Sequence, residues 1–328
     1  MQAIVAISPG GPEVLEVTTI DNPALEKGQV LIDVAAAGVN RADILQRQGH
    51  YPPPPGASPI IGLEVAGTIS ALSTEIEGWS VGDRVCALLA GGGYAGKVAV
   101  SASQLLPVPQ GMDLITAAAL PEALCTIYYN LVIAAGLSGG ETILIHGGGG
   151  GIGTAAIQIA KSMGARVACT AGSEPKLAKA QALGADILIN YREQDFVAAM
   201  RELGGADVIL DIMGAAYLGR NVDALRANGR LVVIGLQGGR KGELDLAKLL
   251  SKQAVVRGTT LRGLPLSKKE EIVAGVRRDY WPMVRDGTYV PHIDRVLPLS
   301  NAAEAHRLIE SGGVTGKIVL EVAGAGND

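Results

Sequence analysis

The chain has 328 residues, 48% of them hydrophobic, with 28 basic against 32 acidic side chains and a formal charge of -4. That length suggests two domains with real cores, and the slight acidic excess argues against a partner made of nucleic acid or anionic membrane. Three scattered cysteines, Cys86, Cys125 and Cys169, exclude a disulfide framework and are expected to be small core residues; with no signal-peptide pattern at residues 1–16, a cytoplasmic setting is expected.

Residues 1–121 read as β-rich. Apolar runs at 2–7, 14–18, 30–36, 65–72, 84–89 and 97–100 have strand length and are separated by Gly, Pro and Asp turns. Few helices fit, and a barrel-like or sandwich domain with a long loop over 40–59 is expected. Tyr51 lies in that loop, followed by Pro52, Pro53, Pro54 and Pro55, a run that can be a polyproline ligand for a recognition domain but, embedded in a folded half, is expected to stiffen a wall. The most apolar window, 117–137, is interrupted by Pro121, Glu122 and Asn130, which fits a buried helix pair better than a membrane span.

From 122 to 262 the period changes. Strand-length runs at 142–146, 166–170, 187–190, 208–211, 231–234 and 254–260 alternate with helical stretches at 153–164, 175–183, 196–203, 216–225 and 246–252. Right-handed crossovers arrange such a pattern as a doubly wound parallel six-stranded sheet of order 3-2-1-4-5-6. Its first turn holds five consecutive glycines, and Gly148, Gly150 and Gly153 satisfy G-x-G-x-x-G. In a chain with 45 glycines that spacing alone says little. Following a strand and opening a helix, it points to a dinucleotide: glycine gives the turn its freedom, and the helix start offers unpaired N–H groups to a pyrophosphate. In the tail 263–328, helices at 268–285 and 302–310 and strands at 293–297 and 317–322 are expected to return to the first domain and complete it. The α/β domain is then an insertion, with an active cleft between the lobes.

Further motifs span nearly the whole length: GGPEVL (10–15), AAGVNRADILQRQGHYPPPPG (36–56), GLEVAG (62–67), VGDRV (81–85), TAGSEPKL (170–177), GADILINYREQDF (184–196) and GKIVLE (316–321). With the glycine turn, they make the chain similar to the medium-chain dehydrogenase/reductase superfamily, within it the zeta-crystallin-like quinone oxidoreductases, in wording nearest the branch of the tumour-suppressor-inducible enzyme. The resemblance implies a Rossmann NADPH-binding domain (122–262) inserted in a GroES-like catalytic domain (1–121 and 263–328), and NADPH-dependent quinone reduction. It also implies a homodimer joined through the last Rossmann strand, 254–260, whose apolar edge is otherwise unpaired. Zinc members carry a cysteine and a histidine where Asn40 and Leu63 stand here, and His50, His146, His292 and His306 have no ligand-like spacing, so no metal site is expected. Relatives usually carry Ala or Ser within the run 147–151, so no family serine is carried over.

The second Rossmann strand runs into Thr170, Ala171, Gly172 and Ser173 with no carboxylate at its tip, where an NAD site holds Asp or Glu; Glu174 opens the next helix and is expected to be solvated. Lys176 and Ser173 can meet a 2′-phosphate, although Lys176 also reads as an ordinary exposed helix lysine. The cofactor set is then Gly148, Gly150, Gly151, Ile152 and Gly153 in the turn, with Gly172, Ser173 and Lys176 at the ribose. By resemblance, Tyr191 joins the ribose group, and Asn40, Thr126, Gly235 and Leu236 approach the nicotinamide. Tyr51 is the candidate to polarise an acceptor oxygen, with Asn40 as a second polar group; its alternative is a pocket wall. Three functions compete: NADPH:quinone reduction, enoyl or 2-alkenal reduction, and a non-enzymatic NADPH-binding structural role.

Overall fold

The structure, a computed structural model, describes residues 1–73 and 76–322 and divides into two units, Met1–Cys125 with the chain from Arg262 onward, and Thr126–Leu261. The last six residues of the expected completing segment lie outside the described ones.

The first unit contributes strands β1 (Gln2–Ala6), β2 (Leu15–Thr19), β3 (Gln29–Val39), β4 (Glu64–Leu72), β5 (Arg84–Leu88), β6 (Lys97–Ser101) and β7 (Leu105–Pro107). In β3 the period of two is plain: Val30, Ile32, Val34 and Ala36 are buried in alternation. From Ala36 to Val39 every residue is buried, so both faces of the strand are covered there. The span 40–59 is not all loop. It opens with helix α1 (Arg41–Arg47), whose third residue, Asp43, accepts the Asn40 N–H at 2.7 Å. An Asn-x-x-Asp pair at a helix start is a capping signal that the proline run masked.

The apolar window does not form a helix pair. Short α2 (Leu114–Ala117) precedes α3 (Pro121–Ile127), which widens into a π-helical stretch over Tyr128–Ala134. There Asn130 Nδ2 donates to the Thr126 carbonyl at 2.7 Å, the kind of side-chain insertion that opens an α-helical ladder. By length and composition Leu114–Ala134 could cross a membrane, yet 72% of its apolar window is buried within the fold, as for a core helix.

The second unit alternates β8 (Thr142–His146), α4 (Gly151–Ser162), β9 (Arg166–Ala171), α5 (Glu174–Ala182), β10 (Ile187–Asn190), α6 (Phe196–Glu202), β11 (Ala206–Asp211), α7 (Leu218–Ala224), β12 (Leu225–Val233), α8 (Leu246–Lys252) and β13 (Val255–Gly258). All six strands are parallel in the order β10-β9-β8-β11-β12-β13, the doubly wound 3-2-1-4-5-6 arrangement. Leu144, Ala168, Ile189, Ile209 and Leu231, one from each of five strands, form a buried row with Phe196, the only Phe of the chain. The small buried residues Gly153, Ala155, Ala156 and Ala160 let α4 lie close to its sheet.

The chain from Arg262 adds α9 (Leu266–Asp279), α10 (Trp281–Arg285), β14 (Ile293–Pro298), α11 (Ala302–Glu310) and β15 (Lys317–Glu321). The expected single helix over 268–285 breaks at Tyr280 because Pro282, inside the first turn of α10, has no N–H to continue the ladder. β15 pairs antiparallel with β3, giving a β-rich sheet ordered β14-β15-β3-β4-β5-β7, with β6 on the other side of β3.

Candidate active site

In the second unit β8 hands over to α4 through the glycines. Gly147 has a positive φ of 74° and donates its N–H to Thr170 Oγ1 at 3.3 Å, while Gly148 donates to the Thr170 carbonyl at 2.9 Å. A Cβ on Gly148 would meet Cys169 Sγ at 2.9 Å, one on Gly149 the Lys176 stem at 2.9 Å, and one on Gly153 the Gly147 carbonyl oxygen at 2.2 Å. Only Gly150 of these has room, its nearest neighbour being 3.5 Å away. Thus three glycines are required by the unit's own packing, and Gly150 is not. The first-turn N–H groups of Gly151, Ile152 and Gly153 have no acceptor within α4, a donor set that fits a pyrophosphate.

The residues expected at the ribose lie at and just after the ends of β9 and β10. A Cβ on Gly172 would sit 2.4 Å from Tyr191 Oη, so the phenol lies directly over this glycine; Tyr191 is 45% exposed. Ser173 is the N-cap of α5 but makes no side-chain cap bond, so its hydroxyl is not spent on the helix. Lys176 is half-buried with its stem against Gly149, which is not the setting of an ordinary exposed lysine, and Glu174 is exposed. At the other end, Gly235 packs on the Ile212 carbonyl, where a Cβ would come within 2.8 Å, and Leu236 is 54% exposed. Thr126 is buried, its carbonyl taken by Asn130.

Two supports of this cradle were missed in the sequence. Asp211, at the tip of β11, accepts the N–H groups of Met213 and Gly214 at 2.8 and 2.9 Å and so shapes the following loop; burial raises its pKa against those bonds. His146 is buried between Thr170 Oγ1 (3.1 Å from Nδ1) and Asn221 Oδ1 (2.7 Å from Nε2). The Asn221 oxygen only accepts, so the proton sits on Nε2 and Thr170 donates to Nδ1 while receiving Gly147. Burial holds this imidazole down to about 4, neutral at physiological pH.

In the first unit Asn40 is 8% exposed and its amide is committed inward: Nδ2 donates to Glu64 Oε1 at 3.0 Å, and Oδ1 accepts from Lys317 Nζ at 2.7 Å. Lys317 Nζ also pairs with Glu64 Oε1, and Glu64 Oε2 accepts the Glu122 N–H at 2.9 Å. Asn40 therefore belongs to a buried ion-paired cluster. Glu64 and Lys317 stood unread inside GLEVAG and GKIVLE. The available signal was a charge opening an apolar strand, since a buried charge needs a partner. With an ammonium already between the Asn40 and Glu64 oxygens, and Leu63 beside them, this donor set does not fit a tetrahedral zinc. Tyr51 is half-buried. Arg262, 5% exposed, donates to its carbonyl at 3.1 Å, lies 5.4 Å from its ring centroid, and is fixed by the Ala90 carbonyl and Gln46 Oε1, both at 2.8 Å. No sequence motif singled Arg262 out.

Two family models match the chain, an alcohol dehydrogenase GroES-like domain over residues 26–110 and a zinc-binding dehydrogenase over 151–275. Quinone oxidoreductase of Rattus norvegicus is 32% identical over 98% of this chain and 97% of its own length. The chain belongs to the medium-chain dehydrogenase/reductase superfamily. It is also similar to a phenolphthiocerol/phthiocerol polyketide synthase of Mycobacterium tuberculosis, at 32% identity over 96% of this chain, but spans only 14% of that protein's length. Among solved structures of the superfamily, Escherichia coli quinone oxidoreductase complexed with NADPH aligns with TM-score 0.89 at 28% identity, covering 98% of this chain and 100% of that one. An NAD-dependent alcohol dehydrogenase aligns at 0.88 and 33% over 98% and 100% of the two chains, and CurK enoyl reductase at 0.87 and 26% over 98% and 99%.

Proposed function

We propose that the protein is a zinc-independent reductase that uses NADPH to reduce quinones. The observation that carries the reading is the end of β9, which runs into Gly172 and Ser173 with no carboxylate at its tip, with Tyr191 over Gly172 and Lys176 following on α5. An ammonium and an uncommitted hydroxyl suit a 2′-phosphate. The NADPH complex of the similar Escherichia coli quinone oxidoreductase supports the same choice.

NADPH, when bound, supplies a hydride from C4 of its nicotinamide. Gly148, Gly150, Gly151, Ile152 and Gly153 would hold the pyrophosphate, and Thr126, Gly235, Leu236 and Asn40 the nicotinamide. Tyr51 donates its phenolic hydrogen to the acceptor oxygen as charge develops there, while Arg262 fixes the Tyr51 main chain. A quinone is already electron-poor and needs no Lewis acid, which agrees with a donor set closed by Lys317 rather than open to zinc. The free, buried cysteines suit a reducing, cytoplasmic setting.

The likeness to CurK enoyl reductase supports a second reading, hydride delivery to the β-carbon of an enone. An ortho-quinone, a para-quinone and a simple enone assayed in parallel separate the two: quinone kcat/KM is expected to exceed enone kcat/KM at least about tenfold, and the reverse order would replace the first reading by the second. NADPH binding with no turnover of any acceptor would instead leave a structural role. For the cofactor, Lys176→Ala is expected to weaken NADPH about tenfold, or about 1.4 kcal/mol, and leave NADH nearly unchanged. Equal losses for both would remove Lys176 from the phosphate site.

A homodimer through β13 is part of the proposal. β13 is the outer strand of its sheet, Val255 on it is 47% exposed, and Leu246 and Leu250 of α8 are 63% and 77% exposed. Sedimentation at micromolar protein is expected to give a dimer mass that falls to a monomer with Val255→Lys.

A further inference from the structure

A second buried network in the first unit ends at the main chain of Asn40. Arg47 donates both to His306 Nδ1, at 3.3 Å, and to the two carboxylate oxygens of Glu310, at 2.7 and 3.1 Å. His306 Nε2 lies 3.2 Å from Tyr94 Oη, and Tyr94 Oη lies 3.1 Å from Asp43 Oδ2, which also receives the Asn40 N–H at 2.7 Å. A guanidinium only donates, so His306 Nδ1 is the acceptor, its proton sits on Nε2 and points at Tyr94, and Tyr94 spends its hydrogen on Asp43. Every bond is thereby directed from Arg47 to Asp43.

Asp43 is 0% exposed, and its other oxygen, Oδ1, has no hydrogen-bond partner among the described residues. A buried carboxylate oxygen without a donor is costly, and a proton on Oδ1 removes the charge without breaking either bond to Oδ2. Asp43 thus has two states with the same partners and different charge. The Asn40 N–H meets a strong acceptor in one and a weaker one in the other. The bonds from the Asn40 N–H and Tyr94, with Lys317 on β15 and Arg262, favour the charged state, and Glu122 on α3 opposes it; Arg47 and Glu64 on β4 act on Tyr94 behind it, and His306 is neutral. Burial outweighs these and pushes the Asp43 carboxyl up to about 7, so the states exchange near neutral pH.

We propose that Asp43 is a proton-switched positioning residue: as the carboxylate it fixes Asn40 at the start of α1, on taking up one proton it relaxes that hold, and the Arg47–His306–Tyr94 relay keeps it an acceptor in both states. The consequence for turnover rests on the reading of Asn40 as a nicotinamide-side residue; the switch itself does not.

Selective 15N-asparagine labelling tests the switch without any assay. The Asn40 amide proton is expected to move upfield on acidification with a midpoint near 7, and to lose that titration in Asp43→Asn. In Tyr94→Phe, which removes one donor from the carboxylate, the midpoint is expected to rise by about one pH unit. An Asn40 amide that is flat from pH 5 to 9, or that moves only near the ordinary aspartate range, would overturn the proposal. In turnover, quinone kcat/KM is expected to change several-fold across neutral pH in the wild type and to lose that inflection in Asp43→Asn. A titrating amide with identical pH–rate profiles in both proteins would overturn the link to turnover and leave quinone reduction standing. Absence of turnover with any quinone would remove the functional reading, while the amide titration would still decide the switch.

Discussion

Replacing Gly153 by alanine is expected to weaken NADPH binding at least about 100-fold, or about 2.7 kcal/mol, and to lower the melting temperature. The added Cβ would stand 2.2 Å from the Gly147 carbonyl oxygen and 2.7 Å from Gly148 Cα, both main-chain atoms of the same turn. Neither can rotate away as a side chain can, so the turn must open and the N–H groups of Gly151, Ile152 and Gly153 lose their common direction. Gly150→Ala separates packing from ligand approach. Its Cβ has 3.5 Å of clearance and its backbone is extended, at φ -84° and ψ 173°. Thermal unfolding should be nearly unchanged there while fluorescence titration shows weaker NADPH binding. If Gly153→Ala binds as the wild type does, the glycine turn is not the phosphate cradle.

Lys317→Met is expected to destabilise the protein by about 3–5 kcal/mol, because it strands the Glu64 carboxylate in the core. Glu64 is 0% exposed and Lys317 4%, and the ammonium serves both Glu64 and the Asn40 oxygen. Truncating one partner leaves a buried charge for which two neutral donors, Asn40 Nδ2 and the Glu122 N–H, cannot compensate. The double variant Glu64→Gln with Lys317→Met removes both charges and is expected to recover most of the loss, since replacing a buried pair is often nearly neutral. Thermal or urea unfolding of the two variants reads the difference directly. Equal stability of the single and double variants would mean that the pair contributes no coupling.

Much of this was legible in the chain. The six-stranded parallel sheet followed from alternating strand and helix periods, because each buried parallel strand must be a short apolar run followed by a crossover. The glycine turn was visible for the same reason, although its glycines answer to Cys169, Lys176 and Gly147 as much as to a ligand. Helix α1 was not seen, since its capping pair Asn40 and Asp43 lies within a segment whose prolines announce a loop. The ion-paired cluster and the relay were beyond reach for a different reason. Lys317 stands 253 residues from Glu64, and His306 stands 212 residues from Tyr94. Such pairs are made by sheet topology, which brings β15 beside β3, and no local period records them. What the chain did offer was the anomaly itself, a glutamate and a lysine opening apolar strands.

The central claim is a zinc-independent, NADPH-preferring quinone reduction, and steady-state oxidation of NADPH and NADH by the purified protein with a para-quinone, before and after exhaustive chelation, tests it most directly. Turnover is expected to survive chelation, with kcat/KM for NADPH exceeding that for NADH by at least about tenfold, the value of one charge-assisted phosphate contact. Turnover that prefers NADH, or that is lost on chelation and restored by zinc, would contradict it.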